Sequence, residues 1–358
     1  MSLALSLGRR GQGRTWPNPA VGCVIVKDGR IVGRGWTQPG GRPHAETEAL
    51  AQAGSAAAGA DVYVSLEPCA HHGETPPCAQ ALIDAKVARV IIAVPDIDPR
   101  VGGKGSRMLS DAGIAVEVGM LEEETLYDNA GFFTRLAHDR PFVTLKLASS
   151  FDGRIATATG ESKWITGPGA RRFVHAMRAR HDAVIVGGGT ARKDDPSLTV
   201  RDLGIERQPV RVVVSRRLDL PLISTLARTA KETPVILCHG RDADPTLMQT
   251  WRDLGADLLT CEASNGQLDA RDVMRQLAEH GLTRVFCEGG SALAASLIEA
   301  GLVDDLVGFT AGLTIGAEGL PSVGALGLSH LEIAPRFALQ ETHRLGNDVV
   351  HVWRSVPR

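Results

Sequence analysis

The sequence predicts two different α/β domains in one chain, and three observations carry that expectation. At 358 residues the chain exceeds one typical domain. Short apolar, strand-like runs alternate with helix-like segments along its whole length. A polar connector, His138-Asp139-Arg140-Pro141, separates halves that share no internal repeat. The expected domains are therefore 1–140 and 141–358. With 43% hydrophobic and 22% charged residues, the chain has enough apolar material for two packed cores.

In the first half, Val21–Val26 and Ile31–Trp36 are apolar runs split by Lys27-Asp28-Gly29-Arg30, a hairpin signal with glycine at the turn. Glu46–Ala53 is alanine-rich and helical. Val62–Leu66 is a buried strand running into Pro68-Cys69, Ala79–Ala85 a helix, Val90–Val94 a second buried strand, and Glu122–Leu136 one further helix. This order fits a sheet with helices on both faces, and it places candidate ligands at helix N-termini, where thiolates at Cys69 and Cys78 would be favoured. In the second half, strands are expected at Phe142–Leu147, Ala183–Val186, Val210–Val214, Val235–Leu237, Arg284–Cys287 and Leu306–Thr310. Helices are expected at Gly169–Arg180, Thr246–Leu254, Ala270–His280 and Ala292–Ala300. Such regular alternation predicts a mostly parallel sheet.

Charge excludes some functions. The net charge is −2, and neither half is basic: residues 1–140 carry 14 Lys+Arg against 16 Asp+Glu, and 141–358 carry 25 against 25. A protein built on phosphate backbones would show a basic excess, so a small-molecule substrate is expected and nucleic acid is not. No apolar run approaches a membrane span, and the first residues are too short for a signal segment. Six cysteines form no disulfide framework, and thiols reserved for metal suit a reducing, cytoplasmic compartment. Cys23, Cys238, Cys261 and Cys287 read as small core residues.

The stretch from 44 to 78 carries the chemistry. It holds His44-Ala45-Glu46 and then Pro68-Cys69-Ala70-His71-His72-Gly73-Glu74-Thr75-Pro76-Pro77-Cys78. One imidazole and two thiolates make a three-ligand zinc site that leaves a position for water. Bound there, a water ionises near neutral pH, and Glu46 is placed to shuttle its proton as general acid/base. The pattern H-x-E followed by P-C…C is that of zinc deaminases of nucleobases, except that the cysteines here are nine residues apart rather than three. Ahead of the first strand, Trp16-Pro17-Asn18-Pro19 is a proline-fixed loop. The Asn18 carboxamide can offer a donor and an acceptor together to a pyrimidine edge.

With the P-N-P-x-V-G loop, H-A-E and P-C-x-H-H-G-x-T-P-P-C in place, residues 1–140 resemble the deaminase domain of the bifunctional riboflavin-biosynthesis deaminase–reductases. The resemblance implies a cytidine-deaminase-like three-layer domain, with zinc on His44, Cys69 and Cys78 and the proton donor at Glu46. It also makes sense of the inserted residues: His71 and His72, with Lys104 of the Gly-rich run Pro99–Gly105, would contact a ribose 5′-phosphate.

The second half resembles the reductase domain of the same family, through Lys146–Ala156, Gly160–Thr166, Asp182–Thr190, Asp194–Arg201 and Cys287–Leu293. That resemblance implies a dihydrofolate-reductase-like α/β domain using NADPH; no G-x-G-x-x-G follows the first strand, which disfavours a Rossmann domain. Carried over by motif, Ala148, Trp164, Thr190, Asp194 and the turn Gly290–Ser296 would line the NADPH site. Ser162, Arg178, Leu198, Arg201 and Glu288 would hold the sugar-phosphate substrate, since arginines and a hydroxyl suit a phosphate. Lys146 and Asp194 are candidate proton sources beside the substrate and water. One departure stands out: where the family usually shows Asp-Ser after the strand Val210–Val214, this chain has Ser215-Arg216. Arg216, with Arg217 next to it, is therefore expected on the NADPH 2′-phosphate.

The implied function is sequential. Zinc hydroxide would deaminate 2,5-diamino-6-(5-phosphoribosylamino)pyrimidin-4-one, and NADPH hydride would then reduce the ribosyl group to a ribityl chain. Rival functions are a nucleotide- or RNA-editing deaminase, a deaminase with an inactive second domain, and a zinc-binding interaction module. The long cysteine interval and the open ligand set count against the first and last. An exposed sheet edge in the second domain would suit a homodimer or higher homo-oligomer.

Overall fold

The computed structural model describes residues 1–71, 76–98 and 102–356. The chain forms two compact units, Met1–Asp139 and Arg140–Arg358.

The first unit runs α1 (Ser2–Gly8), β1 (Gly22–Lys27), β2 (Arg30–Trp36), α2 (Ala45–Ala53), β3 (Asp61–Leu66) and α3 (Cys78–Asp84). It continues with β4 (Arg89–Val94), α4 (Lys104–Asp111), β5 (Ala115–Val118), α5 (Glu122–Asp128) and α6 (Ala130–His138). The sheet order is β2-β1-β3-β4-β5, with β1 antiparallel to both neighbours and β3, β4 and β5 parallel. Strand alternation sends Cys23, Ile25, Val62 and Val64 to a core shared with Ala45, Ala49, Leu82 and Leu109 of α2, α3 and α4. Val24 and Tyr63 face the other way, against Ala4 and Leu7 of α1. The result is three layers. Helix α2 lies close on β2 because the strand offers glycines there: a Cβ on Gly33 would stand 2.2 Å from the Ala49 carbonyl oxygen, and one on Gly35 2.1 Å from that of Ala45.

One expectation needs correction. The segment from Glu122 is two helices rather than one, broken at Asn129, whose side-chain oxygen accepts the Ala20 N–H at 3.0 Å. Helix α1, at seven residues just under two turns long, gives the chain its short helical start.

The second unit runs β6 (Phe142–Ser150), β7 (Arg154–Ala156), α7 (Pro168–Arg178), β8 (Ala183–Gly187), α8 (Gly188–Asp194), β9 (Val210–Val214), α9 (Thr225–Arg228) and β10 (Val235–His239). Then come α10 (Pro245–Asp253), β11 (Asp257–Thr260), the two-residue strands β12 (Ala263–Ser264) and β13 (Gln267–Leu268), α11 (Ala270–Glu279) and β14 (Arg284–Gly289). The unit closes with α12 (Ser291–Glu299), β15 (Asp305–Ala311), the short β16 (Leu320–Pro321), β17 (Phe337–Leu345) and β18 (Asp348–Ser355). Nine strands form one sheet in the order β11-β10-β9-β8-β14-β6-β15-β18-β17. The seven strands from β11 to β15 are parallel, and β18 and β17 add an antiparallel edge. Strand β14 returns late in the chain to insert between β8 and β6, so the parallel strand ends around it open a crevice of the kind where α/β sheets bind ligands.

A buried histidine locks the centre of this sheet. His181 Nδ1 lies 2.7 Å from the Met177 carbonyl oxygen, so it carries the hydrogen, and Nε2 accepts from Thr144 Oγ1 at 2.9 Å. Its ring stacks at a tilt on Phe286. Burial, with the Arg284 charge adding to it, holds the imidazole down to about 3. The unfolded chain, with an ordinary histidine near 6.5, therefore binds this proton more readily than the folded one. The stability this confers is complete above that unfolded value and is lost as pH falls toward 3. Between pH 7 and 4.5 His181 should account for about 2–3 kcal/mol of lost stability. Hydrogen exchange of the β8 amides should show the wild type losing that much more over this range than His181→Asn, which keeps a donor for Met177.

Candidate active sites

The first site is built where three separate segments meet. His44 is the N-cap of α2, with extended backbone. Cys78 is the first residue of α3. Cys69 lies in the chain that leaves β3 and not at a helix start, which corrects the expectation. Its sulfur reaches the α3 terminus all the same, by accepting the Cys78 backbone N–H at 3.3 Å. His44 Nδ1 stands 3.3 Å from Cys78 Sγ and 3.7 Å from Cys69 Sγ. All the donor atoms lie within 4.8 Å of one another, in the one cluster of this kind among the described residues.

Those separations are the test of whether zinc fits. Zn–S near 2.3 Å and Zn–N near 2.05 Å at a tetrahedral angle put S and N about 3.6 Å apart. The two N–S distances bracket that value, and the donor set is three, so His44, Cys69 and Cys78 would hold zinc with a position left for water. The two thiols share one proton unequally. Hydrogen bonding from Cys78 and from His44 holds the Cys69 thiol down to about 4, against the opposing effect of burial. The same hydrogen bond, together with burial, pushes Cys78 up.

Glu46 lies on the wall of a cavity of about 120 Å³ together with Asn18, His44, Cys69, His71 and Phe132. It is buried, and burial raises its carboxyl above the usual range, with Cys69 adding to the effect and His44 opposing it. The other acid in the first turn of α2, Glu48, is not on this wall. Asn18 is held by a reciprocal pair: its N–H donates to the Thr15 carbonyl at 3.0 Å, and Thr15 Oγ1 donates to the Asn18 carbonyl at 3.1 Å. His71 lines the cavity, and its Nδ1 is buried without a partner among the described residues. His72 and Pro99–Val101 lie outside the described residues. Lys104 opens α4 and is not on the cavity wall. Sequence reasoning missed Glu67, which also lines the cavity, and Phe132, which comes from α6.

The second site is a trough of adjoining cavities in the other unit. Cavities of about 500 and 470 Å³ share Lys146, Ala148, Ser162, Thr190, Asp194 and Glu288. The first also takes in Trp164, Arg178, Leu198 and Arg201, and the second Gly290. A third, of about 500 Å³, continues from Gly187, Gly189 and Leu293 to Arg192, Ser215, Arg216 and Arg217. Every residue predicted for this domain, except Ala295 of the turn Gly290–Ser296, thus lines one part of the trough.

Arg178 is no solvated helix charge. Its guanidinium forms a bidentate ion pair with Glu288, with both side chains about nine-tenths buried, and its third nitrogen donates to the Thr199 carbonyl at 2.6 Å. Burial alone would raise the Glu288 carboxyl, but Arg178, Lys146 and His175 outweigh it and hold the group below its ordinary range. Burial holds the Lys146 ammonium below the usual lysine range; Glu288 opposes that and Arg178 adds to it. Leu198 borders the trough but is buried. Its side chain is buried against Val184 and Val213, and its φ of 54° is one that leucine adopts only under constraint. Trp164 is exposed, with the Arg171 guanidinium 4.7 Å from its ring centre. At the far end Arg216 is ion-paired with Asp242.

A dinucleotide fits this trough. Helix α12 begins directly after Gly290, so its free N–H groups open on the second cavity, as a pyrophosphate requires. A Cβ on Gly290, at φ 87°, would stand 3.0 Å from Thr190 Oγ1 and narrow that opening. Sequence reasoning did not single out His175 and Arg171, which line the substrate end.

Comparison with known proteins agrees with both halves. Residues 1–94 match the cytidine and deoxycytidylate deaminase zinc-binding region, and residues 141–351 match the RibD C-terminal domain. The chain is 41% identical to the riboflavin biosynthesis protein RibD of Aquifex aeolicus over 350 residues, covering 98% of this chain and 96% of that one. It is likewise 41% identical to RibD of Escherichia coli over 355 residues, with 98% and 96% covered. Among solved structures it superposes on Acinetobacter baumannii RibD with a TM-score of 0.89, at 38% identity and with 99% and 98% of the chains covered.

Proposed function

The chain belongs to the RibD family, a deaminase and reductase of riboflavin biosynthesis, and we propose which of its side chains carry each reaction. The deaminase substrate is 2,5-diamino-6-(5-phosphoribosylamino)pyrimidin-4-one, whose amino-bearing ring carbon exchanges ammonia for water. The reductase substrate is the resulting uracil, whose ribosylamino group becomes ribitylamino. A Thermotoga maritima protein of solved structure, 34% identical to this chain, is a diaminohydroxyphosphoribosylaminopyrimidine deaminase/5-amino-6-(5-phosphoribosylamino)uracil reductase, which supports the same pair of activities.

When bound, zinc supplies the Lewis acidity that makes a water nucleophilic near neutral pH, and NADPH supplies a hydride. The Glu46 carboxylate carries one proton from the attacking water to the ring nitrogen, and then carries the hydroxyl proton of the resulting tetrahedral carbon to the departing amine. Burial suits it to both roles, because a raised carboxyl binds its proton more firmly and so can accept one as well as donate one. Asn18 orients the pyrimidine edge, and His71 and Lys104 take the phosphate end. In the reductase, Arg178 and Arg201 hold the sugar phosphate, with Ser162 and Leu198 completing that wall. Glu288, fixed by Arg178, faces the sugar. Lys146 and Asp194 border the space shared by the two cavities, from which a proton can reach the sugar as hydride arrives at C1′. Ala148, Trp164, Thr190 and Gly290 bound the cofactor.

All six cysteines are free thiols, which suits the reducing cytoplasm where we place the enzyme. Strand β17 is the open edge of the large sheet and is exposed along most of its length. A homodimer or higher homo-oligomer would pair there.

The observation that carries the deaminase assignment is Glu46 on one cavity wall with His44 and Cys69, two members of the three-donor set. In Glu46→Gln, ammonia release should fall by about 10²–10⁴-fold. Bound zinc and NADPH oxidation with the deaminated substrate should stay at wild-type levels. Persistent ammonia release would remove Glu46 from its role. The ion pair of Arg216 with Asp242 would be exchanged for one with the 2′-phosphate of NADPH. Arg216→Ala should weaken NADPH binding, measured by cofactor fluorescence, about tenfold while leaving NADH binding unchanged. An unaltered preference for NADPH would rule the contact out.

A further inference from the structure

Glu67 is a buried carboxylate that the reactions above do not use. It lies two residues before the ligand Cys69, is 3% exposed, and lines the deaminase cavity. Its two oxygens are engaged by backbone N–H groups of two other segments. Oε2 accepts from Asp96 at 3.2 Å and from Gly103 at 3.0 Å, and Oε1 accepts from Ser106 at 2.9 Å. Gly103 is the N-cap of α4 and Ser106 belongs to its first turn, so the carboxylate sits on the positive end of that helix. The neighbouring residue strengthens the joint. Gly105 is pressed so closely on Pro68 that a Cβ there would stand 2.0 Å from the Pro68 carbonyl oxygen.

We propose that Glu67 is a positioning residue of the deaminase, one that fixes the start of α4, and with it Lys104, against the segment that carries Cys69. The proposal deepens the assignment of Lys104 to the substrate phosphate and rests on it. Cys69 marks the reacting end of the substrate and Lys104 its phosphate end. A rigid strut between them sets the length of substrate that the site accepts. Glutamate suits the task because its oxygens accept and never donate. A glutamine in the same place would keep an oxygen for Asp96 and Gly103, but would turn an NH₂ group toward the Ser106 N–H, donor against donor. The damage would fall on α4 and spare the chain leading to Cys69.

Steady-state deaminase kinetics of full-length Glu67→Gln, loaded with zinc, test this. KM for the phosphorylated substrate should rise about tenfold, with kcat and one zinc per chain retained. KM for the dephosphorylated riboside should stay at the wild-type value. Amides of Gly103 and Ser106 should exchange faster, and NADPH oxidation by the other unit should be unaffected. Lys104→Ala alone should raise KM as well, and adding it to Glu67→Gln should bring little further change. If Glu67→Gln leaves KM intact while Lys104→Ala raises it, the strut is refuted and the phosphate contact stands. If Lys104→Ala leaves KM intact, the phosphate contact fails, and with it the purpose given to the strut. Loss of zinc in Glu67→Gln would overturn the proposal too, by showing that Glu67 serves the metal ligands instead.

Discussion

The deaminase unit depends on bringing one imidazole nitrogen and two sulfurs, from three segments, to the corners of a tetrahedron. None of these segments can do so alone. His44 is fixed by the start of α2, and α2 sits where it does because Gly33 and Gly35 let it press against β2. Cys78 is fixed by the start of α3, and Cys69 is tied to it through the Cys78 N–H. The pairing of β2, β1 and β3 holds these helices in register. An error of an ångström in any of these would leave two ligands and a loose third. Placing Glu46 two residues into α2 then requires nothing further: the first turn that orients His44 also turns the acid into the cavity.

The reductase unit meets a different constraint, that of holding charge in a dry trough. Arg178, Glu288 and Lys146 arrive from α7, β14 and β6, the first two about nine-tenths buried and Lys146 partly so. Such a group is tolerated because each charge has an opposite one near it, and Arg178 and Glu288 are hydrogen-bonded to one another. Removing one member of a buried pair typically costs about 3–5 kcal/mol, through the charge left behind. The insertion of β14 between β8 and β6 is what makes this convergence possible. That same insertion opens the strand ends at which α12 begins, so one topological feature serves both substrate and cofactor.

Much of this was legible in the sequence wherever the signal was local. The hairpin of β1 and β2, the strand running into Pro68-Cys69 and the parallel strands of the second unit all follow from short apolar runs and their punctuation. The zinc ligands were legible because their chemistry is rare and their order is constrained. The pairing of Arg178 with Glu288 was not, since 110 residues separate them and no spacing links the two. Glu67 was hidden for another reason: its partners are backbone N–H groups, which leave no trace in residue identity. The break at Asn129 escaped notice because its side chain works for the distant Ala20 and not for its own helix. The hairpin of β17 and β18 lacks alternation on its outer strand, which is exposed along nearly its whole length and so leaves no apolar pattern to read.

Everything assigned to the deaminase unit requires a three-ligand metal centre with one open position beside Glu46. X-ray absorption at the zinc edge of the full-length, substrate-free enzyme reads that shell of ligands. Two sulfurs are expected at about 2.3 Å, with one imidazole nitrogen and one further light atom at about 2.0–2.1 Å. A shell of four protein ligands, or one with fewer than two sulfurs, would disprove the open three-ligand centre.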